Sequence, residues 1–139
     1  MVANNQELLA LIGTLENEHV DVREALGRIN LAIGANDPAA LLDALSVGEA
    51  VLVSGLDAHS LAEDDDLFPP LADAMGDGLL GVFVEEHVRI RSLRDRIYAA
   101  KDRGQADFNG SEEFSQLLTD HIDREDAVLF PSARGVLAG

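Results

Sequence analysis

The 139-residue chain has no cysteine. That absence removes disulfides, thiolate zinc sites, thiol catalysis and cysteine-ligated iron–sulfur clusters together. Tryptophan is absent as well, and aromatic residues make up only 4%. The core must therefore be built from Leu, Val, Ile and Ala, a diet that suits helices more than sheets. Basic residues are scarce, 10 Lys and Arg against 26 Asp and Glu, for a formal net charge of −16. A surface that negative repels phosphate backbones and anionic lipid, which argues against nucleic-acid and membrane partners. It favours capture of cations, or simply solubility. No apolar run reaches the ~18 residues of a transmembrane helix. The opening MVANNQELLALIG lacks the basic region and cleavage site of a signal peptide. These absences lead to the expectation of one soluble, cytoplasmic domain over residues 1–139.

What the chain does contain is a repeat. His59 to Pro69 reads HSLAEDDDLFP and His121 to Pro131 reads HIDREDAVLFP, both H-x-x-x-E-D-x-x-L-F-P. Upstream of each stands a second matched phrase, EHVDVR from Glu18 to Arg23 and EHVRIR from Glu86 to Arg91. All 4 histidines of the protein fall inside these phrases. Neither HExxH nor HxxEH occurs, so the zinc-peptidase readings fail.

Apolar steps of three and four predict four long helices. The first covers roughly 5–33, with Leu8, Leu11, Ile12, Leu15, His19, Val22, Leu26 and Ile29 on one face. The second opens at Asp37 as N-cap with Pro38 behind it and runs to about Asp66. Pro69-Pro70 are expected to end it, followed by a short helical turn to Met75. The third covers roughly 79–103. After a loop over 104–110, the fourth runs from about Ser111 to Val128, and a loosely packed tail is expected over 132–139. No segment alternates with period two. The predicted fold class is all-α, an up-down-up-down antiparallel four-helix bundle.

Residues four apart on a helix lie on one face. His59 with Glu63, and His121 with Glu125, therefore point the same way, while His19 and His87 come from the other two helices. All sit on or beside apolar stripes and are expected to point inward. Buried carboxylates with no cation between them would cost several kcal/mol each. Nitrogen and oxygen ligands without sulfur suit iron, manganese or zinc. A dinuclear site is natural among four helices. Tyr98 lies about 16 Å along the helix from His87 at ~1.5 Å per residue, too far to be a ligand, and is assigned to the core. Phe68, Phe83 and Phe130 are expected in the core, at positions where they would also keep the site dry.

Over nearly its whole length the chain resembles the hemerythrin-like domains, the HHE cation-binding family. His19, His59 with Glu63, His87, and His121 with Glu125 match that family's pattern, as does the Leu-Phe-Pro after each acidic phrase. The resemblance implies a non-haem di-iron centre, oxo- or hydroxo-bridged, with the carboxylates of helices two and four between the irons. It implies His19 and His59 on one iron and His87 and His121 on the other. Two features depart from the oxygen carriers. Where those have HxxxH on helix three, this chain has Arg91, a poor ligand that stays protonated. Arg23 stands at the same offset from His19. Both arginines are expected either to support the site, paired with Asp64 and Asp126 or facing an exogenous anion, or to snorkel to water. On helix four some relatives use an acid five residues after the histidine, here Asp126. The repeat with Glu63 favours Glu125.

A centre with fewer histidines and more open positions favours redox turnover over clean release. The expected function is the handling of dioxygen, peroxide or nitric oxide, as sensing, detoxification or peroxide decomposition. The alternatives are reversible oxygen storage, and a metal-dependent sensor that acts through a partner protein.

Overall fold

The structure, a computed structural model, describes residues 4–139. No strand occurs among the described residues. The chain forms α1 (Asn5–Gly34), α2 (Pro38–Val47), α3 (Leu56–Leu61), α4 (Phe68–Met75), α5 (Asp77–Asp102), α6 (Phe108–Arg124) and α7 (Phe130–Ala138). Three π-helical segments, Ala50–Gly55, Ala62–Leu67 and Glu125–Leu129, join neighbouring pieces without a loop. α1 packs against α2, α6 and α7, and α5 packs against α4 and α6. No single described helix is long and apolar enough to cross a membrane.

Helix starts follow local chemistry. Asn4 accepts from Glu7 N at 2.8 Å, Asp37 from Ala40 N at 3.1 Å with Pro38 behind it, and Asp107 from Gly110 N at 2.8 Å. Each satisfies an amide that has no partner within its own helix. The Asp107 cap starts α6 at Phe108, three residues earlier than the apolar pattern suggests. The second helical stretch is likewise not continuous. It bends by 56° at the break between Val47 and Ala50. Gly48 stands there, where a Cβ would meet Ala44 O at 3.2 Å and Ala25 Cβ at 3.3 Å, so a larger residue would push α1 back by a few tenths of an ångström.

The prolines do not end helices two and four, contrary to the sequence expectation. Pro69 and Pro131 sit in the first turns of α4 and α7, where a missing N–H leaves no helical bond unmade. A π segment precedes each and absorbs the mismatch with the upstream turn. Nor is the tail loose. Phe130, Ala133 and Leu137 of α7 are buried, Asn5 Nδ2 donates to Leu137 O at 3.1 Å, and Arg134 pairs with Glu16.

Two apolar clusters result. One gathers Leu8, Ile12, Leu15, Leu67, Phe68, Phe83, Leu129 and Phe130. The other gathers Val22, Leu26, Leu41, Leu45, Leu56, Ile90, Leu118 and Ile122. Each fully buried Leu or Ile contributes about 1.5–3 kcal/mol. Tyr98 belongs to the second cluster, its hydroxyl donating to Leu45 O at 2.8 Å. Burial pushes its pKa upward. Between the clusters, in sequence and in space, lies a layer of buried histidines and glutamates.

Candidate metal centre

Each histidine interrupts an apolar stripe at one step. His19 follows Leu15 and precedes Val22, and His87 follows Phe83 and precedes Ile90. His59 and His121 follow Leu56 and Leu118. The π segments then place Glu63 and Leu67, and likewise Glu125 and Leu129, on the buried side together. Glu63 and Glu125 have 0% exposure.

The inner ring is made of Nε2 atoms and carboxylate oxygens. His19 Nε2 lies 3.0 Å from Glu125 Oε1 and 3.3 Å from His59 Nε2. His59 Nε2 lies 3.5 Å from Glu63 Oε1, and His87 Nε2 3.0 Å from the same oxygen. His121 Nε2 lies 3.5 Å from Glu125 Oε2. Two groups of donor atoms result, each within 4.8 Å: Glu63, His87, His121 and Glu125, and His19, His59 and Glu125.

The outer ring explains why the Nε2 atoms face inward as lone pairs. Each Nδ1–H has a carboxylate acceptor: Asp126 for His19 at 2.8 Å, Glu18 for His59 at 2.9 Å, Asp64 for His87 at 2.8 Å and Glu86 for His121 at 2.8 Å. A proton fixed on Nδ1 leaves Nε2 as a ligand atom, the arrangement usual behind metal-bound histidines. The acceptors obey the repeat. The glutamate before His19 serves His59, and the glutamate before His87 serves His121. The aspartates after Glu63 and Glu125 serve His87 and His19.

Lone pairs aimed at carboxylates across 3 Å need something positive between them. Both oxygens of Glu63, Oε2 of Glu125 and Nε2 of His87 are buried without a hydrogen-bond partner, a state that is costly unless a cation or proton fills it. Burial, then the charge of Glu125, raises the Glu63 pKa well above the usual carboxylate range. At Glu125 burial acts against ionisation, but Glu63, His121, His19 and His59 outweigh it and hold the group well below that range. Burial also opposes protonation of His19 and His121. The carboxylates beside them, Glu125 with Asp126 and Glu125 with Glu86, win and raise both. His87 is lowered by burial and by the nearness of His121. The donor set is four imidazoles and two carboxylates without sulfur, which fits a pair of first-row metal ions.

Three phenylalanines close the layer. Phe130 stacks on His19 with centroids 5.6 Å apart, Phe68 on His87 at 6.3 Å, and Phe83 meets His121 edge-on at 5.4 Å. On the opposite side, between the histidines and the Val22 cluster, lies a cavity walled by Val22, Leu56, Ser60, Ile90, Leu118 and Ile122. It offers about 10 Å³ to the centre of a water-sized sphere, room for about one water.

The structure thus brings together His19, His59, Glu63, His87, His121 and Glu125. Glu125 faces the ring, while Asp126 lies outside it on His19 Nδ1. The two arginines part ways. Arg23 donates to Asp126 Oδ2 at 2.9 Å and to Asp123 Oδ1 at 2.8 Å. Arg91, half-buried, makes no ion pair with Asp64 or any other acid among the described residues. Three participants escaped the sequence reading: Glu18, Glu86 and Arg124, which pairs with Glu86. The first two carried a signal, since a glutamate precedes the histidine in both EHV phrases.

A family model described as Hemerythrin HHE cation binding domain matches residues 10–133. No curated protein and no solved structure shows a significant match.

Proposed function

The chain belongs to the hemerythrin HHE cation-binding family, and from that premise we propose that it is a non-haem di-iron protein handling dioxygen, peroxide or nitric oxide. In this reading the four helical stretches alternate in direction as an up-down-up-down bundle around the centre. His19 and His59 would hold one iron and His87 and His121 the other, with Glu63 and Glu125 as the carboxylate ligands supplied to the pair. The observation that carries the reading is the set of buried, partnerless donor atoms on Glu63, Glu125 and His87. Manganese or zinc would satisfy the same atoms, and the metal's identity is part of the proposal.

When bound, such a pair supplies redox equivalents and open positions for a small exogenous molecule. The protein's own part is positional. Glu18, Asp64, Glu86 and Asp126 hold a proton on each Nδ1, so the Nε2 atoms stay ligating. Phe68, Phe83 and Phe130 exclude water on one side. The apolar cavity on the other side admits only a small guest. Arg91 standing where the oxygen carriers place a further histidine leaves two imidazoles per metal, which supports redox turnover, as in peroxide decomposition, over reversible storage.

The test is peroxide decomposition by iron-loaded protein, expected to be vigorous and to be lost in His87→Ala. An oxygen adduct that forms and returns to the reduced state under vacuum, with no peroxide turnover, would contradict this and restore the storage reading.

A further inference from the structure

The repeat makes the cavity wall nearly two-fold. Val22 corresponds to Ile90, Leu56 to Leu118, His19 to His87 and His59 to His121, by their equal offsets within the repeated phrases. One pair breaks the pattern. Ser60 follows His59 where Ile122 follows His121. Ser60 is 2% exposed. It is the one hydroxyl in a wall otherwise made of aliphatic side chains and imidazoles whose Nδ1 protons are already committed to carboxylates.

A hydroxyl in an apolar wall is unfavourable unless it finds a partner. Ser115, buried elsewhere in the same core, donates to Asn30 Oδ1 at 2.7 Å. Ser60 has no such side-chain partner among the described residues. A helical serine can instead bond back to its own helix carbonyl, which would give it a purely structural role. An isoleucine would fill this position with apolar volume, as its counterpart does. The hydroxyl is kept on one side only, against the cavity and beside His59.

We infer that Ser60 donates a hydrogen bond to the small exogenous molecule held in this cavity, and so fixes its orientation and favours guests carrying a lone pair over inert ones of the same size. Ser60 is here a positioning residue toward the guest and not a metal ligand. The inference rests on the proposed metal centre and adds the element that selects among its ligands. The effect belongs to the α3 side alone, because Ile122 offers no donor.

The experiment uses nitric oxide as the probe on iron-loaded protein, comparing wild type with Ser60→Ala and Ser60→Val. The N–O stretching frequency is read in H2O and in D2O, and nitric oxide release is timed. Metal content and the melting temperature of the metal-free proteins are measured alongside. The expected result is a deuterium-sensitive stretch in wild type that loses this sensitivity in both variants. Release should become on the order of 3–10-fold faster, the loss of one hydrogen bond, while iron content is unchanged and metal-free stability is equal or higher. An identical deuterium shift in Ser60→Ala overturns the inference while leaving the centre intact. So does a fall in metal-free stability with an unmoved stretch, which would mark Ser60 as structural. Failure of wild type to take up iron or bind nitric oxide would overturn the centre and this inference with it.

Discussion

The two halves of the molecule carry the same inner cage and dress it differently. His19, His59 and Glu63 of the first half match His87, His121 and Glu125 of the second, and the acceptor behind every Nδ1 matches too. Outside that shell the likeness fails. Arg124 holds Glu86 behind His121, but its counterpart is Ala62, and among the described residues Glu18 behind His59 has no arginine on it. Glu86 is accordingly 12% exposed and Glu18 47%. Arg23 holds Asp126, while among the described residues Asp64 meets His87 and no arginine. Lower down, Leu26 packs in the core where its counterpart Arg94 is buried against Asp57 and Asp95. The lesson is energetic. A change in the inner layer strands a buried charge or lone pair, a cost of several kcal/mol, whereas a change at an exposed pair such as Arg23 with Asp123 alters a contact that contributes about 0–1 kcal/mol.

The largest expected effect comes from removing the metal proposed to lie between the halves. A metal ion held at ~1,000 times its dissociation constant adds about 4 kcal/mol to stability, or roughly 15 °C in Tm for a domain of this size. Chelation should therefore lower Tm by at least that much, and calorimetry of loaded and stripped protein would show it. An unchanged Tm would mean that the cage is filled by protons alone.

Next come the paired single changes. His19→Ala and His87→Ala occupy equivalent places and should each cost about one metal ion per chain, with matching losses of affinity. A competition titration that found one variant near wild type would break the two-fold description of the cage.

The pH dependence of the metal-free protein is smaller. The Glu63, His19 and His121 pKa values are raised in the folded state. Each contributes stability that is complete below its unfolded pKa and is lost as pH rises through its folded pKa. His87, whose pKa is lowered, acts in the opposite sense and only below about 6.5. From pH 6.5 upward the metal-free protein should thus lose stability as pH rises, by up to about 1.4 kcal/mol per pH unit for each proton lost. Glu63→Gln should remove the carboxylate share of the slope, which begins above the ordinary carboxylate value of 4.5. Chemical denaturation as a function of pH would measure these slopes, and a flat profile would contradict them.

The rim effects are the smallest. Arg23→Ala and Arg124→Ala each loosen a carboxylate that orients a histidine, and should weaken metal binding by up to about tenfold. Arg91→Ala should leave it unchanged. Equal effects of Arg23→Ala and Arg91→Ala would show that position, not the ion pair seen at Asp126, is what counts.

Much of this was legible in the sequence because the inner cage is periodic. His-x-x-x-Glu on an apolar stripe dictates direction, and its repetition dictates convergence. The rim was less legible because it depends on contacts between helices. Nothing local to Arg23 and Arg91 says that only the first meets an aspartate. Pro69 and Pro131 misled for a related reason. A proline reads as a stop until the upstream turn is seen to widen into a π segment that carries the chain on into the next helix. The tight approach of Gly48 to Ala25, a residue of another helix, was equally invisible in the local sequence.

The most direct test of the central claim is the metal content of protein purified without chelator, read together with its near-ultraviolet and visible spectrum. About two irons per chain are expected, as in carboxylate-bridged bundles, with charge-transfer bands of an oxo-bridged pair. Zinc alone, or no metal even after anaerobic iron loading, would contradict the claim.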